Sequence, residues 1–324
     1  MSKWQKSPYI RMILGIFISL CGIYLGFRKF DYRSFFSSLS EVNYLYLLLA
    51  VFIQIVNVFF RAIRWKIILN EVKEIKLKKV FAATMVCYFG NNVFPFRFGE
   101  VLRSLVLGNS EKVSSVSIFG TVIMERILDT LVFVIVLGIS LLVVKDLPSW
   151  VNEAGVLVLL SVVIFLVLSY IYLFMNKRNY NRLILMLDRK ETGIRKKIKS
   201  LLVGLNSLAG VKDKAGLVFY SFLVWFISIV MIYVVGLSYN LHMGLEEIIL
   251  LFFTTSLVIS IPSAPGYIGT FHAGVISLML YLGYGRDVAQ GFSIILHGVG
   301  FVTLTLFGLF YFLKMNVKIP LKSS

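Results

Sequence analysis

Gly90-Asn91-Asn92-Val93-Phe94-Pro95-Phe96-Arg97-Phe98-Gly99-Glu100 interrupts an apolar stretch that begins at Val80 and ends at Leu107. Proline removes a backbone donor and glycine relaxes the helix, so the chain can turn at Pro95 and Gly99. A second interruption, Ile261-Pro262-Ser263-Ala264-Pro265-Gly266-Tyr267-Ile268-Gly269, divides the run from Ile248 to Leu282. Here Pro262, Pro265, Gly266 and Gly269 shape the break. Each stretch has two apolar arms, several of them short for a full crossing. Broken backbone at membrane depth is tolerated only where protein or a water-filled cavity covers it.

Composition places both breaks in a bilayer. The 324 residues are 58% hydrophobic and only 15% charged, against about 25% charged in an average soluble domain. Mean hydropathy is +0.86. No polar stretch approaches the length of a soluble domain, which argues against an appended nucleotide-binding or glycosyltransferase module. The net charge of +17 sits in short stretches beside apolar runs. There it reads as attraction to anionic headgroups rather than to nucleic acid. The two cysteines, Cys21 and Cys87, both fall inside apolar runs, so a disulfide framework is not expected.

Outward from the breaks, uninterrupted spans are read at Met12–Phe27, Tyr44–Phe60, Ile127–Val144, Val156–Phe174, Leu217–Leu237 and Phe292–Leu313. The first follows Lys3, Lys6 and Arg11 but lacks a small-residue cleavage site, so it reads as a retained helix. From Arg61 to Lys79 there are seven basic and two acidic residues, and from Lys177 to Lys214 eleven basic and three acidic. The tail adds Lys314, Lys318 and Lys322. Lys145–Glu153 is acidic on balance, and Glu246 and Glu247 mark another acidic turn. By the positive-inside rule the basic stretches and both termini face the cytoplasm of a multi-pass protein in the cell membrane.

On that assignment the first interrupted stretch enters from the cytoplasmic side and the second from the outer side. The expected fold is all-α, a single membrane domain over residues 1–324, with six full spans and two oppositely oriented re-entrant helical hairpins. Such an inverted repeat places a transporter's site between its broken elements near the midplane. The alternative, two full spans in each stretch, gives ten crossings. Lys177–Lys214 carries Leu183, Ile184, Leu187, Ile194, Ile198, Leu201, Leu202 and Leu205 at helical spacing among basic residues. It reads as an amphipathic helix on the inner leaflet.

Ionisable residues inside apolar segments cost about 2.5–3.5 kcal/mol each at a helix centre and are normally paired. Arg97, Glu100 and Arg103 lie three apart, so a helical arm puts Glu100 within reach of both arginines. Glu125 and Asp129 share a helix face, and Arg126 meets Asp129 at i,i+3. His272 and His297 form a weaker third group. Arginine suits a lipid phosphate because its planar fork donates paired hydrogen bonds and stays charged. Arg97, Arg103 and Arg126 are therefore candidate phosphate contacts. Glu100, Glu125 and Asp129 are candidates to orient those arginines or to carry a coupling proton. A purely structural ion-pair lock is the competing reading.

Enzyme signatures are missing from the sequence. There is no H-E-x-x-H pair, no G-x-S-x-G elbow and no Walker A loop, and three histidines make a zinc site improbable. Neither catalysis nor a metal or cofactor is expected.

The ordered set Asn92-x-x-Pro95-x-Arg97-x-Gly99-Glu100-x-x-Arg103, Glu125-Arg126-x-x-Asp129 and Pro262-x-x-Pro265-Gly266-x-x-Gly269 resembles the membrane domain of lysylphosphatidylglycerol synthetases. That domain also occurs alone, in flippase-like proteins, and the resemblance covers nearly the whole chain. It implies that Asn92 and His272 belong with the charged residues at the lipid-binding site. Many relatives have Pro-Gly-Gly-x-Gly followed by a glutamate. Here Tyr267 replaces the second glycine and His272 stands at the glutamate position, which is similar to the stand-alone branch and disfavours a cationic aminoacyl headgroup. Lipid synthesis is not carried over.

The function expected is movement of an anionic phospholipid or polyprenyl-phosphate-linked lipid between leaflets. The alternatives are a membrane-embedded enzyme on a lipid-linked substrate, or a non-transporting scaffold of an envelope synthase. Membrane lipids, and a separate lipid-modifying or envelope enzyme, are the expected partners.

Overall fold

A computed structural model describes residues 42–94, 97–143, 193–260 and 264–315, with single positions elsewhere. The spans expected at Met12–Phe27 and Val156–Phe174 lie outside the described residues. So do Pro95, Pro262, the acidic Lys145–Glu153 turn, most of the basic stretch before Gly193, and Lys318 and Lys322.

The described residues are helical and carry no strand. In chain order they form α1 (Tyr44–Leu69), α2 (Leu77–Val93), α3 (Gly99–Glu111), α4 (Ser115–Val143), α5 (Gly193–Leu205) and the single turn α6 (Ser207–Gly210). Then come α7 (Lys214–Ser238), α8 (Leu245–Ser260), a 3-10 turn at Pro265–Tyr267, α9 (Thr270–Tyr281) and α10 (Arg286–Lys314).

Helix starts follow local chemistry. The Asn43 side-chain oxygen accepts from the Leu45 N–H at 3.0 Å, and the Asp213 carboxylate accepts from the Gly216 N–H at 2.8 Å. Both satisfy donors that a helix N-terminus leaves unmet. Glu247, in the first turn of α8, reaches back to the Gly244 N–H at 2.7 Å, one half of a capping box.

Three described helices, α1, α7 and α10, are long and apolar enough to cross a membrane. Their 25 to 29 residues extend about 38–44 Å at about 1.5 Å per residue. Their exposed faces carry Leu45, Leu48 and Phe52 on α1, Val218, Phe219 and Phe226 on α7, and Val302, Leu306 and Phe310 on α10. A helix apolar on its outward face as well as its packed one has lipid as its solvent.

Two boundaries depart from the expectation. The span expected to end at Phe60 continues through Arg61, Arg64 and Lys66 to Leu69, and the span expected from Ile127 begins at Ser115. In both cases the extra turns carry polar residues that the packed structure buries, so hydropathy ended the helix too early.

The interrupted stretches break where expected. Helix stops at Val93 and resumes at Gly99, then stops at Ser260 and resumes at Thr270. The arms α2, α3, α8 and α9 have 17, 13, 16 and 12 residues. Each is shorter than the roughly 20 residues that cross about 30 Å of hydrocarbon.

The chain divides into two compact units. The first comprises residues 1–59, 81–103 and 226–324 and therefore holds both breaks. Its α2 packs on α10 around Val58, Met85 and Leu304. Gly308 leaves room there for the Met85 carbonyl and Phe89. Gly274 lets α9 lie close against Val258 and Thr254 of α8.

The second unit comprises residues 60–80 and 104–225. Its core gathers Ile68, Met124, Val211 and Leu217. In it α5 packs against α4 at Gly120 and Gly204, where any side chain on Gly204 would strike the Ser117 carbonyl. Small residues permit this approach of two backbones. The amphipathic helix thus uses Leu201, Leu202 and Gly204 against protein, while Ile194, Arg195, Lys196, Lys197 and Ile198 stay exposed.

Candidate functional site

In the first unit the two helix breaks meet. Arg97 sits in the left-handed backbone region (φ 52°), a conformation that costs a non-glycine residue about 1–2 kcal/mol. It aims its guanidinium at the second interrupted stretch, where Nη2 donates to the Ile259 carbonyl at 2.8 Å. Ile259 lies in the last turn of α8, whose carbonyls have no intrahelical partner, so Arg97 caps the negative end of that helix. The same guanidinium lies 6.0 Å from the Tyr267 ring centre, within cation–π range.

Asn92 supplies a second tie. Its side-chain amide donates to Thr305 Oγ1 at 2.9 Å and to the Phe301 carbonyl at 3.3 Å. Gly99 makes the turn possible, since a β-carbon there would collide with the Cys87 carbonyl and with Asn91.

The second break turns on Gly266, Tyr267 and Gly269, all at positive φ (70°, 60° and 95°). A β-carbon at Gly266 would strike Phe301. His297 Nε2–H donates to the Gly266 carbonyl at 2.8 Å, and its ring centre is 4.9 Å from that of His272. Ser293 donates its hydroxyl proton to the Gln290 carbonyl at 2.8 Å. Its hydroxyl oxygen lies 3.3 Å from His272 Nδ1.

Of the other expected residues, Glu100 opens α3 half-buried, its N–H donating to the Arg97 carbonyl at 3.1 Å, and Arg103 is buried farther along that helix. Pro265 begins the 3-10 turn.

The second unit holds a separate charge network. Arg64, fully buried, donates Nη1 to Asp129 Oδ1 at 2.6 Å and Nη2 to Glu125 Oε1 at 2.9 Å. Arg61 approaches Asp129 Oδ2 at 3.8 Å, and Arg126 Nη1 lies 3.2 Å from the same oxygen. The expected i,i+3 pairing of Arg126 with Asp129 is thus present. Arg61 also lies 5.6 Å from the Trp225 ring centre. Below, Trp65 Nε1–H donates to Thr121 Oγ1 at 3.0 Å.

Three guanidiniums, those of Arg61, Arg64 and Arg126, face the two carboxylates of Glu125 and Asp129. Charge buried in low dielectric persists only when paired and hydrogen-bonded; Arg64 is the fully buried group that hydrogen-bonds both acids, while Arg126 reaches both from the exposed edge. The Arg126 side chain, 38% exposed, is the accessible edge.

In the sequence Arg61 and Arg64 count only toward loop charge. Their three-residue spacing just before Trp65-Lys66-Ile67-Ile68-Leu69 was the available signal, because apolar periodicity continues through them. The helix-capping role of Arg97 had no sequence signal, since its acceptor is a backbone carbonyl.

The family model described as Lysylphosphatidylglycerol synthase TM region matches residues 12–308. A UPF0104 membrane protein of Methanothermobacter thermautotrophicus is 24% identical over 297 residues, covering 84% of this chain and 86% of its own. Two UPF0104 membrane proteins of Methanocaldococcus jannaschii are also similar. One is 26% identical over 71% of this chain and 96% of its own, the other 30% identical over 40% and 38%. No solved structure matches the chain. The protein belongs to the lysylphosphatidylglycerol synthase TM region family and is an integral membrane protein.

Proposed function

We propose that this member of the lysylphosphatidylglycerol synthase TM region family moves an anionic lipid, a phospholipid or a polyprenyl-phosphate-linked lipid, between membrane leaflets. The observation that carries the reading is the meeting of the two helix breaks, with Arg97 of the first holding the end of α8 beside the second. A neutral carbonyl is a weaker acceptor for guanidinium than a phosphate oxygen. A lipid phosphate entering there competes for Arg97, and releasing the α8 cap frees the second break to move. Within the second unit, Arg126, whose side chain is 38% exposed, is the phosphate contact.

In this reading the short arms are re-entrant hairpins entering from opposite faces, six other segments cross fully, and both termini lie in the cytoplasm. The basic stretches support that sidedness. A separate lipid-modifying or envelope enzyme supplies the lipid.

The test is leaflet-sidedness of labelled anionic lipid in proteoliposomes. The parent accelerates exchange over protein-free vesicles, and folded Arg97→Ala and Arg126→Ala each slow it at least severalfold. If the parent is no faster than bare vesicles, or both variants match it, the reading fails. A chemically altered lipid in the same vesicles identifies an enzyme instead.

A further inference from the structure

Resting on that reading, the second break carries a further site, built from two histidines that the transport argument leaves unused. His297, on α10, donates Nε2–H to the Gly266 carbonyl at 2.8 Å, and so holds a turn residue at positive φ. A carbonyl only accepts, which leaves the lone pair of the neutral ring on Nδ1. The same ring packs on two phenyl rings. Phe271 lies 4.9 Å away with 34° between the planes, and Phe301 5.4 Å away with 32°. Aromatic rings at this range attract a cation. His272, buried on α9, stands edge-on to His297 at 85°, with ring centres 4.9 Å apart. All of these residues belong to the first unit.

Two imidazoles this close can share one added proton but resist a second, because like charges repel strongly away from water. The titratable groups nearest the pair are Tyr267 in the same break and, around Tyr267, Cys87, Arg97 and Glu100. Tyr239, which ends α7, reaches α10 at Phe292. The charged residues of α8 and α10 stand in their end turns, at Glu246, Glu247, Arg286, Asp287 and Lys314, and Tyr281 closes α9. A charge added at His297 is met by the phenyl rings and the Gly266 carbonyl. We propose that the His272–His297 pair binds a single proton, taken up at His297 Nδ1, and that this proton latches the second break and so regulates lipid movement. An imidazolium donates a shorter and stronger hydrogen bond than a neutral ring. The loaded pair therefore grips Gly266 and slows the break, and loss of the proton frees it.

The test follows hydrogen–deuterium exchange of the full chain in phosphatidylcholine nanodiscs by peptide mass spectrometry, across about pH 5–8, where histidine changes charge. Exchange at the ring C2 carbon reports the protonation of each histidine. His297 loads one proton in this range, and His272→Gln shifts its midpoint by about half a pH unit, roughly threefold in proton affinity. His242, exposed in the turn before α8, is the internal control. Backbone amides of the peptide holding Gly266 and Gly269, corrected for intrinsic rate, exchange severalfold more slowly at the acid end. His297→Gln keeps a donor for the Gly266 carbonyl but cannot take the proton, so there the acid slowing disappears. The proposal is overturned if His297 does not titrate in this range, if His272→Gln leaves its midpoint unmoved, or if the slowing persists in His297→Gln. In proteoliposomes, lipid exchange by the parent slows severalfold on acidification and that by His297→Gln does not. A parent that exchanges no lipid at any pH ends the transport reading, while the ring and amide measurements still decide the proton site.

Discussion

The Arg97 guanidinium donates to the Ile259 carbonyl across 2.8 Å, joining a residue of the first helix break to the last turn of the helix that enters the second. A residue in strained left-handed backbone is thereby tied to an end that would otherwise lack a partner. Removing the tie uncaps α8 and leaves the Arg97 backbone strain without compensation.

Arg97→Gln therefore lowers stability by about 2 kcal/mol, the scale of a hydrogen bond to a charged group. Thermal unfolding in detergent measures it. Arg97→Lys recovers part of the loss, since a point charge still favours the helix end. Equal melting temperatures for all three proteins contradict the cap.

Arg64→Met strips Glu125 and Asp129 of the fully buried cation that hydrogen-bonds them both. The expected loss is about 3–5 kcal/mol, because two acids remain buried with only peripheral arginines. Adding Glu125→Gln and Asp129→Asn restores most of it. A double-variant cycle by thermal melting checks this, and additive effects would show that the network is not a unit.

At the second break neighbouring substitutions act in different ways. Gly266→Ala places a methyl against Phe301 at positive φ and costs about 2 kcal/mol. Tyr267→Gly relieves left-handed strain but gives up the contact with Arg97. Its net change stays within about 1 kcal/mol. Size-exclusion profiles after graded heating separate the two.

Gly204→Ala forces α5 off α4, because its new methyl meets the Ser117 carbonyl. Limited proteolysis between Gly193 and Leu205 is expected to rise sharply. Gly193→Ala, where no atom stands nearby, leaves the cleavage pattern unchanged and serves as the control.

Tyr284, in the turn between α9 and α10, donates to Glu247 at 3.0 Å. Burial first, then this hydrogen bond and the nearby carboxylate, push its hydroxyl from the ordinary 10 up to about 12. The folded state therefore holds this proton more tightly than the unfolded chain. The stabilisation is full below pH 10 and is lost as pH rises toward 12. Absorbance titration at ~295 nm shows it as a late-ionising tyrosine that disappears in Tyr284→Phe.

Much of this was legible without coordinates. The breaks at Pro95–Gly99 and Pro265–Gly269 announce themselves through residues that cannot continue a helix, and Arg126 with Asp129 follows from helical spacing alone. The partner of that pair was less visible. Arg64 lies 61 and 65 positions from Glu125 and Asp129, and no local pattern links residues so far apart.

The sequence by itself determined that this is a helical membrane protein with two interrupted segments, because composition and backbone chemistry act locally and do not depend on how helices pack. Tertiary structure alone decided that Arg64 hydrogen-bonds the buried acids and that Arg97 caps a helix end. Those outcomes depend on which backbones come close enough to touch. In this chain that closeness is set by glycines such as Gly99, Gly204 and Gly266, whose effect is felt only at the surface they let in.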